Sequence, residues 1–415
     1  MNMRNFVITI LTILLIGSVL VGVANMTPAE AAAGSRVEAV RSGLANVRAF
    51  APAPAADADA LAVDSGALYR QDGDRWLLVE TPADVIVNAV VTASATPDLI
   101  YIGAANELAV YRTQDGGVSW LRVPMTNATT PNLVGGVTSL ALDESRRILY
   151  AGTDTAGLFR LRDVGSSMIL SGHEPLTEPV IELAAGADGL AFARTASTLY
   201  RADEGGLTWN SVDNLGSTAT ALAMSTDAVY VGTVDRGLLT SRDGMTWTAA
   251  NAGLGFAPGS RLQIDALAVD PQQPDVIYAA TSYLFGSTTV HQTPAAVSMS
   301  TDGAAVWMPV QTLDGAAVAE LLPLAGRTGG VYALMSNSRM PVAMGIAPEM
   351  ATTTLAVTPA EAAVESAAPL LPAASWPAWL LALLAAAALF YVLVTDFGRP
   401  RPLFEGSLAP SLARK

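Results

Sequence analysis

Between residues 85 and 310 apolar and polar positions alternate in short runs of four to seven residues, broken by Gly, Asp, Asn and Pro. That spacing predicts strands and tight turns rather than helices. The runs recur in order. One strand reads Val137-Thr-Ser-Leu-Ala-Leu142, Ala219-Thr-Ala-Leu-Ala-Met224 or Ile264-Asp-Ala-Leu-Ala-Val269. A second and third follow, as in Leu99-Ile-Tyr-Ile-Gly103 then Leu108-Ala-Val-Tyr111, or Ala228-Val-Tyr-Val-Gly232 then Gly237-Leu-Leu-Thr240. A fourth carries tryptophan. Four antiparallel strands repeating at roughly forty residues is the period of a propeller blade.

The turn before the fourth strand has its own signature. Thr113-Gln-Asp115-Gly-Gly117-Val-Ser119-Trp120 sets the pattern; looser copies are Ala202-Asp-Glu204-Gly-Gly206-Leu-Thr208-Trp209, Ser241-Arg-Asp243-Gly-Met-Thr246-Trp247 and Ser300-Thr-Asp302-Gly-Ala-Ala-Val-Trp307. A worn copy runs from Arg70 through Asp72 and Gly73 to Trp76. An Asp side chain accepts hydrogen bonds from turn amides, Gly takes the positive φ and Trp packs on a sheet. Asp72, Trp76, Asp115, Gly117, Trp120, Glu204, Gly206, Trp209, Asp243, Trp247, Asp302 and Trp307 are therefore structural residues in this reading, and none is catalytic.

These boxes make residues 60–345 resemble the Asp-box (BNR) repeat propellers, a group that includes sialidases, sortilin-type receptors and photosystem II assembly-factor-type proteins. The resemblance implies an all-β propeller, and it is poor for activity because the box supports enzymes and non-enzymes alike. Sialidase-type residues do not follow: the nearest Arg-Ile-Pro-like triplet, Arg122-Val-Pro124, comes after a box and not ahead of one. Units at 85–124, 137–172, 180–213, 219–250 and 264–310 give five blades. Residues 61–79 and 318–344 are expected to join as a sixth, with seven blades the alternative. The unit at 137–172 lacks a box, so its hairpin is expected to be irregular.

Two apolar runs flank the repeats. Phe6–Val23 behind Arg4 reads as a signal peptide or an N-terminal anchor within 1–33. Residues 375–395 are long enough to cross a bilayer, with Trp376, Trp379 and Tyr391 toward the interfaces. Arg399, Arg401, Arg414 and Lys415 in the tail 396–415 orient that tail to the cytoplasm and the propeller outside, single-pass in the cell membrane. Residues 34–59 and the Ala/Pro-rich 346–374 read as linkers, and Arg36–Arg48 alternatively as a short amphipathic helix.

Charge then narrows the partners. Away from the tail and Arg4 about 35 acidic residues face 18 basic ones, which excludes a phosphate-backbone binder. There is no cysteine, and two histidines give zinc or haem little to bind, so no metal and no cofactor are expected, with calcium left open. The expected function is a protein-binding or complex-assembly scaffold, its partner a protein in a membrane complex. A glycoside hydrolase or glycan-binding protein is the alternative. The candidate binding residues, all on loops expected to crowd one face, are Asn106, Glu107, Asp154, Asp235, Arg236 and Tyr283; Glu107, Asp154 and Asp235 would be the carboxylates of a hydrolase.

Overall fold

The computed structural model describes residues 43–345 apart from 55–57, 74, 127–131, 187–188, 204 and 325–327. All of them belong to one compact unit, Val37–Leu355. The expected signal, membrane-spanning and tail segments lie outside the described residues, as does Glu204. Among the described residues no helix is long and apolar enough to cross a membrane.

The fold is a seven-bladed β-propeller, each blade numbered from its inner strand outward. Blade 1 holds β1 (Val47–Ala51), β2 (Leu61–Asp64), β3 (Ala67–Asp72) and β4 (Arg75–Val79). Blade 2 holds β5 (Val87–Thr92), β6 (Ile100–Ala104), β7 (Ala109–Thr113) and β8 (Leu121–Pro124). In blade 3 these are β9 (Val137–Asp143), β10 (Ile148–Thr153), β11 (Leu158–Asp163) and β12 (Met168–Glu174), and in blade 4 β13 (Glu182–Ala185), β14 (Ala191–Arg194), β15 (Leu199–Asp203) and β16 (Thr208–Ser211). Blade 5 comprises β17 (Ala219–Met224), β18 (Val229–Thr233), β19 (Leu238–Ser241) and β20 (Thr248–Ala249). Blade 6 comprises β21 (Arg261–Asp270), β22 (Gln273–Phe285), β23 (His291–Ser300) and β24 (Met308–Thr312). The seventh has three described strands, β25 (Val318–Pro323), β26 (Val331–Met335) and β27 (Pro341–Met344).

Six blades is thus corrected to seven. The two ends do not share a blade, because Val47–Ala51, inside the segment expected to be a linker, supplies the inner strand that makes residues 47–79 a complete sheet. The ring closes where β1 meets β25. The Val47 N–H donates to the Arg339 carbonyl at 3.0 Å, and the Arg339 guanidinium donates back to the carbonyls of Val47 and Arg48 at 2.7 and 3.3 Å. The box-less hairpin of blade 3 is a short turn closed by the Val164 N–H on the Ser167 carbonyl, with a bulge between Arg160 and Leu161 in the strands it joins.

Why the second strand repeats Tyr-x-Gly is visible in the packing between blades. Residues i and i+2 share a face, and here that face meets the next blade. A Cβ on Gly232 would stand 2.7 Å from Cβ of Ile264, and one on Gly103 2.7 Å from Cβ of Val137, so glycine sets how closely neighbouring blades approach. The aromatic ring two residues earlier receives the next blade's box, as does Phe192 in blade 4, where Arg194 replaces the glycine: Trp209 stands edge-on to Tyr150 at 5.7 Å and Trp247 edge-on to Phe192 at 6.2 Å. A third-strand arginine completes the joint. Arg70 donates to the Gly116 carbonyl at 2.7 Å, Arg112 to that of Gly165, Arg160 to that of Gly205 and Arg201 to that of Asp243 at 3.1 Å.

The turns themselves behave as their sequence requires. Asp115 accepts the Ser119 N–H at 2.9 Å and the Thr113 hydroxyl at 2.6 Å, Asp243 accepts the N–H groups of Met245 and Thr246 at 2.8 Å, and Asp302 accepts that of Val306 at 3.0 Å. Gly117 and Gly206 take φ of 102° and 75°. Asp72 is exposed and paired with Arg75 at 3.3 Å, while Trp76 is buried. Trp120 and Trp307 donate their indole N–H to carbonyls of the chain leaving the preceding blade, Glu80 at 2.8 Å and Ala250 at 2.9 Å.

Candidate functional site: the mouth of the central channel

Seven inner strands surround a channel of about 450 Å³. Its wall is layered by a recurring β-bulge, which adds one residue to a strand and turns it toward the axis. Bulges lie between Val47 and Ala49, Val87 and Ala89, Ala219 and Ala221, Ile264 and Ala266, and Val318 and Glu320, and β9 pairs irregularly after Val137. The bulge residues Asn88, Thr138 and Thr220 each reach the next blade, donating to the carbonyls of Val137 at 2.8 Å, Val180 at 2.5 Å and Ile264 at 2.6 Å. Where blades 2, 3 and 5 carry these linkers, blade 1 has Arg48, blade 4 Ile181, blade 6 Asp265 and blade 7 Ala319.

One step further along the strands the wall is Ala49, Ala89, Ser139, Ala221 and Ala266, with Glu182 and Glu320 as the two large exceptions. Glu182 pairs with Arg194 at 3.0 Å. Burial pushes its carboxyl up, and the guanidinium opposes that shift. Glu320 accepts the Phe50 N–H at 3.0 Å, and burial, reinforced by the charge of Glu182, raises it to about 7. Asp265 accepts from Gln263 at 2.6 Å, Gln292 at 2.8 Å and the Ser282 hydroxyl; burial raises it and these donors hold it down.

The two faces of the disk differ. Loops between second and third strands are bonded to the loops that enter the inner strands, which places both on the face where the channel opens. At this mouth a second hollow of about 500 Å³ shares Arg194, Thr220 and Asp265 with the channel. Blade 6 is taller here than its neighbours: β22 is 13 residues long and β23 is 10, against four to six in the second strands of the other blades. Large apolar side chains ring the same face, with Phe256 79%, Val134 77%, Ile86 52%, Val290 50% and Ile181 46% exposed.

All six loop residues expected to bind lie on or beside this face, yet most are engaged in holding its loops. Asn106 accepts the Ile86 N–H at 3.2 Å and donates to the Asp84 carbonyl at 2.8 Å. Asp154 accepts the Gly136 N–H at 2.8 Å, Asp235 accepts the Ser217 hydroxyl and Arg236 donates to the Leu215 carbonyl. Glu107 pairs with Arg122 on the outer strand β8, and that guanidinium holds its carboxyl below the usual range. Tyr283 is half-buried in β22 opposite Leu262. Among the described residues no hydrogen bond or ion pair joins any two of Glu107, Asp154 and Asp235. The channel residues Arg48, Glu182, Asp265 and Glu320 were not singled out by the sequence reading. The available signal was the position after the first apolar residue of each inner strand, where Thr138 and Thr220 give way to Asp265.

No protein-family model matches the chain, and no curated protein sequence does. Solved structures share its fold. A GH74 xyloglucanase from Xanthomonas campestris superposes with a TM-score of 0.51 at 20% identity, covering 71% of this chain and 52% of its own, so this chain spans about half its length. U3-55K gives 0.50 at 11% identity over 74% of this chain and 98% of its own. YCF48 bound to D1 peptide gives 0.49 at 16% over 74% and 95%. At these identities the likeness is one of fold.

Proposed function

We propose that this protein is a membrane-tethered scaffold, with its propeller on the extracytoplasmic side, that docks a protein partner on the mouth face. The observation that carries the docking is the combination there of a tall blade 6 hairpin with Phe256 and Val134, each more than three-quarters exposed. Apolar side chains gathered around a polar opening fit a protein interface better than a solvated rim. The tether rests on residues 375–395 and their basic flank, and would raise the effective concentration of a partner in the same membrane. We read the turns at Thr113–Trp120, Ser241–Trp247 and Ser300–Trp307 as Asp boxes with a structural role.

The carbohydrate reading has Glu182 and Glu320 in its favour, since both face one channel. Against it, Phe50 is the one aromatic residue along that wall among the described residues, and Arg194 already engages Glu182. The test is an affinity capture of the full-length chain from its native membrane, compared with Phe256→Asp plus Val134→Asp. A stoichiometric partner retained by the parent and lost by the double variant supports docking at the mouth. Equal retention by both removes this face from consideration.

A further inference from the structure

Most charged groups around the channel can be followed to a partner. Arg194 meets Glu182, Asp265 is held by three donors, and Arg339 is tied to two carbonyls. Two groups are left over. The Glu320 carboxylate accepts the Phe50 N–H but meets no cation at bonding distance, and the Arg48 guanidinium, exposed on the wall of the same cavity, has no hydrogen bond or ion pair among the described residues. They stand on adjoining inner strands, β25 and β1, and do not pair with each other.

The space they share is suited to a small molecule. Alanines and Ser139 keep the lumen open at the level of Glu320, Phe50, Val90 and Leu140 add apolar surface, and about 450 Å³ falls within the range of small-ligand sites. Glu320 is partly withdrawn from solvent, where a charge is costly until it is paired, and Arg48 is exposed to the same cavity with its donors turned to solvent. A simple anion would satisfy Arg48 and leave Glu320, and a simple amine would do the reverse. We propose that the channel binds a small zwitterion of the α-amino-acid type, its ammonium on Glu320 and its carboxylate on Arg48. This site lies inside the channel, and its occupancy is separate from partner docking by Phe256 and Val134 on the rim.

The experiment is calorimetric titration of the full chain in detergent with each of the proteinogenic L-amino acids, and with methylamine and acetate as single-charge controls. At least one amino acid should saturate at one per chain with a Kd below about 1 mM, while neither control saturates. Glu320→Gln, which keeps an acceptor for the Phe50 N–H, and Arg48→Gln should each weaken that binding at least about tenfold while both variants still melt cooperatively. Phe256→Asp should bind as the parent does, which separates this site from the docking face. The proposal is overturned if no amino acid saturates, if methylamine or acetate binds as well, or if either channel variant retains full affinity.

Discussion

The backbone N–H of Phe50 donates to the carboxylate of Glu320 at 3.0 Å, joining residues 270 apart in sequence at the seam where the first and last blades meet. That carboxyl is raised to about 7 from an ordinary 4.5. A raised acid favours the folded state while it is protonated there, so its contribution is fully present below about pH 4.5 and is lost as pH climbs through 7. The native chain should therefore lose up to about 3 kcal/mol from this group between those values. Glu320→Gln should flatten the corresponding part of the stability profile, read as urea midpoints from pH 4 to 8. Identical profiles for the two proteins would remove Glu320 as the cause.

Gly232 and Ile264 form a joint between blades 5 and 6 with no room for a methyl group. Gly232→Ala should destabilise by about 1–3 kcal/mol through overpacking. Adding Ile264→Ala should recover part of that loss, so the double variant is less damaged than the sum of the singles. Additive losses in chemical denaturation would mean that the two side chains do not collide.

Arg70 ties blade 1 to the turn of blade 2 through the Gly116 carbonyl. Arg70→Met keeps the apolar stem and removes the donor, for an expected cost of about 1–2 kcal/mol. Hydrogen exchange should accelerate first in Thr113–Trp120, the turn that loses its anchor. Uniform acceleration along the chain would point to a global effect instead.

At Asp115 the Ser119 and Thr113 hydroxyls, with the Ser119 N–H, hold the carboxyl well below its usual range. A depressed acid adds stability above its unfolded pKa and loses it as pH falls through the folded one. The gap in melting temperature between the parent and Asp115→Asn should consequently be present at neutral pH and narrow toward pH 2. A gap that stays constant would assign the effect to shape rather than charge.

Strand type and blade order were legible because Tyr-x-Gly and the Trp turns recur at fixed offsets, and both kinds of residue face the neighbouring blade. The count was not. Val47–Ala51 is short, carries Arg48 at its second position and is closely followed by Pro52 and Pro54, so a full strand read as linker. Blade 7 has no Trp turn to mark it, which made the two ends look like halves of one unit. Loop residues such as Asp154 were placed on the right face, but spacing could not reveal that Gly136 already engages that carboxylate. Charges on the inner strands are harder still. A bulge redirects side chains toward the axis without any residue type announcing it, and Glu182 and Glu320 come together only when the ring closes.

The first strand starts beside the mouth, at Val47, and the last described strand ends on the opposite face, where Gly345 lies against the Gly329 carbonyl. Tension applied to the two flanks would pull across the thickness of the disk and along a single line, the seam between blades 1 and 7. That seam is fastened by Arg339 on Val47 and Arg48, by Phe50 on Glu320 and by the packing of Val47 and Phe50 with Leu322 and Leu334, all loaded in parallel. Under force the ring would therefore open at its own closure before any blade unravels, and the first event would carry away the wall that holds Arg48 and Glu320.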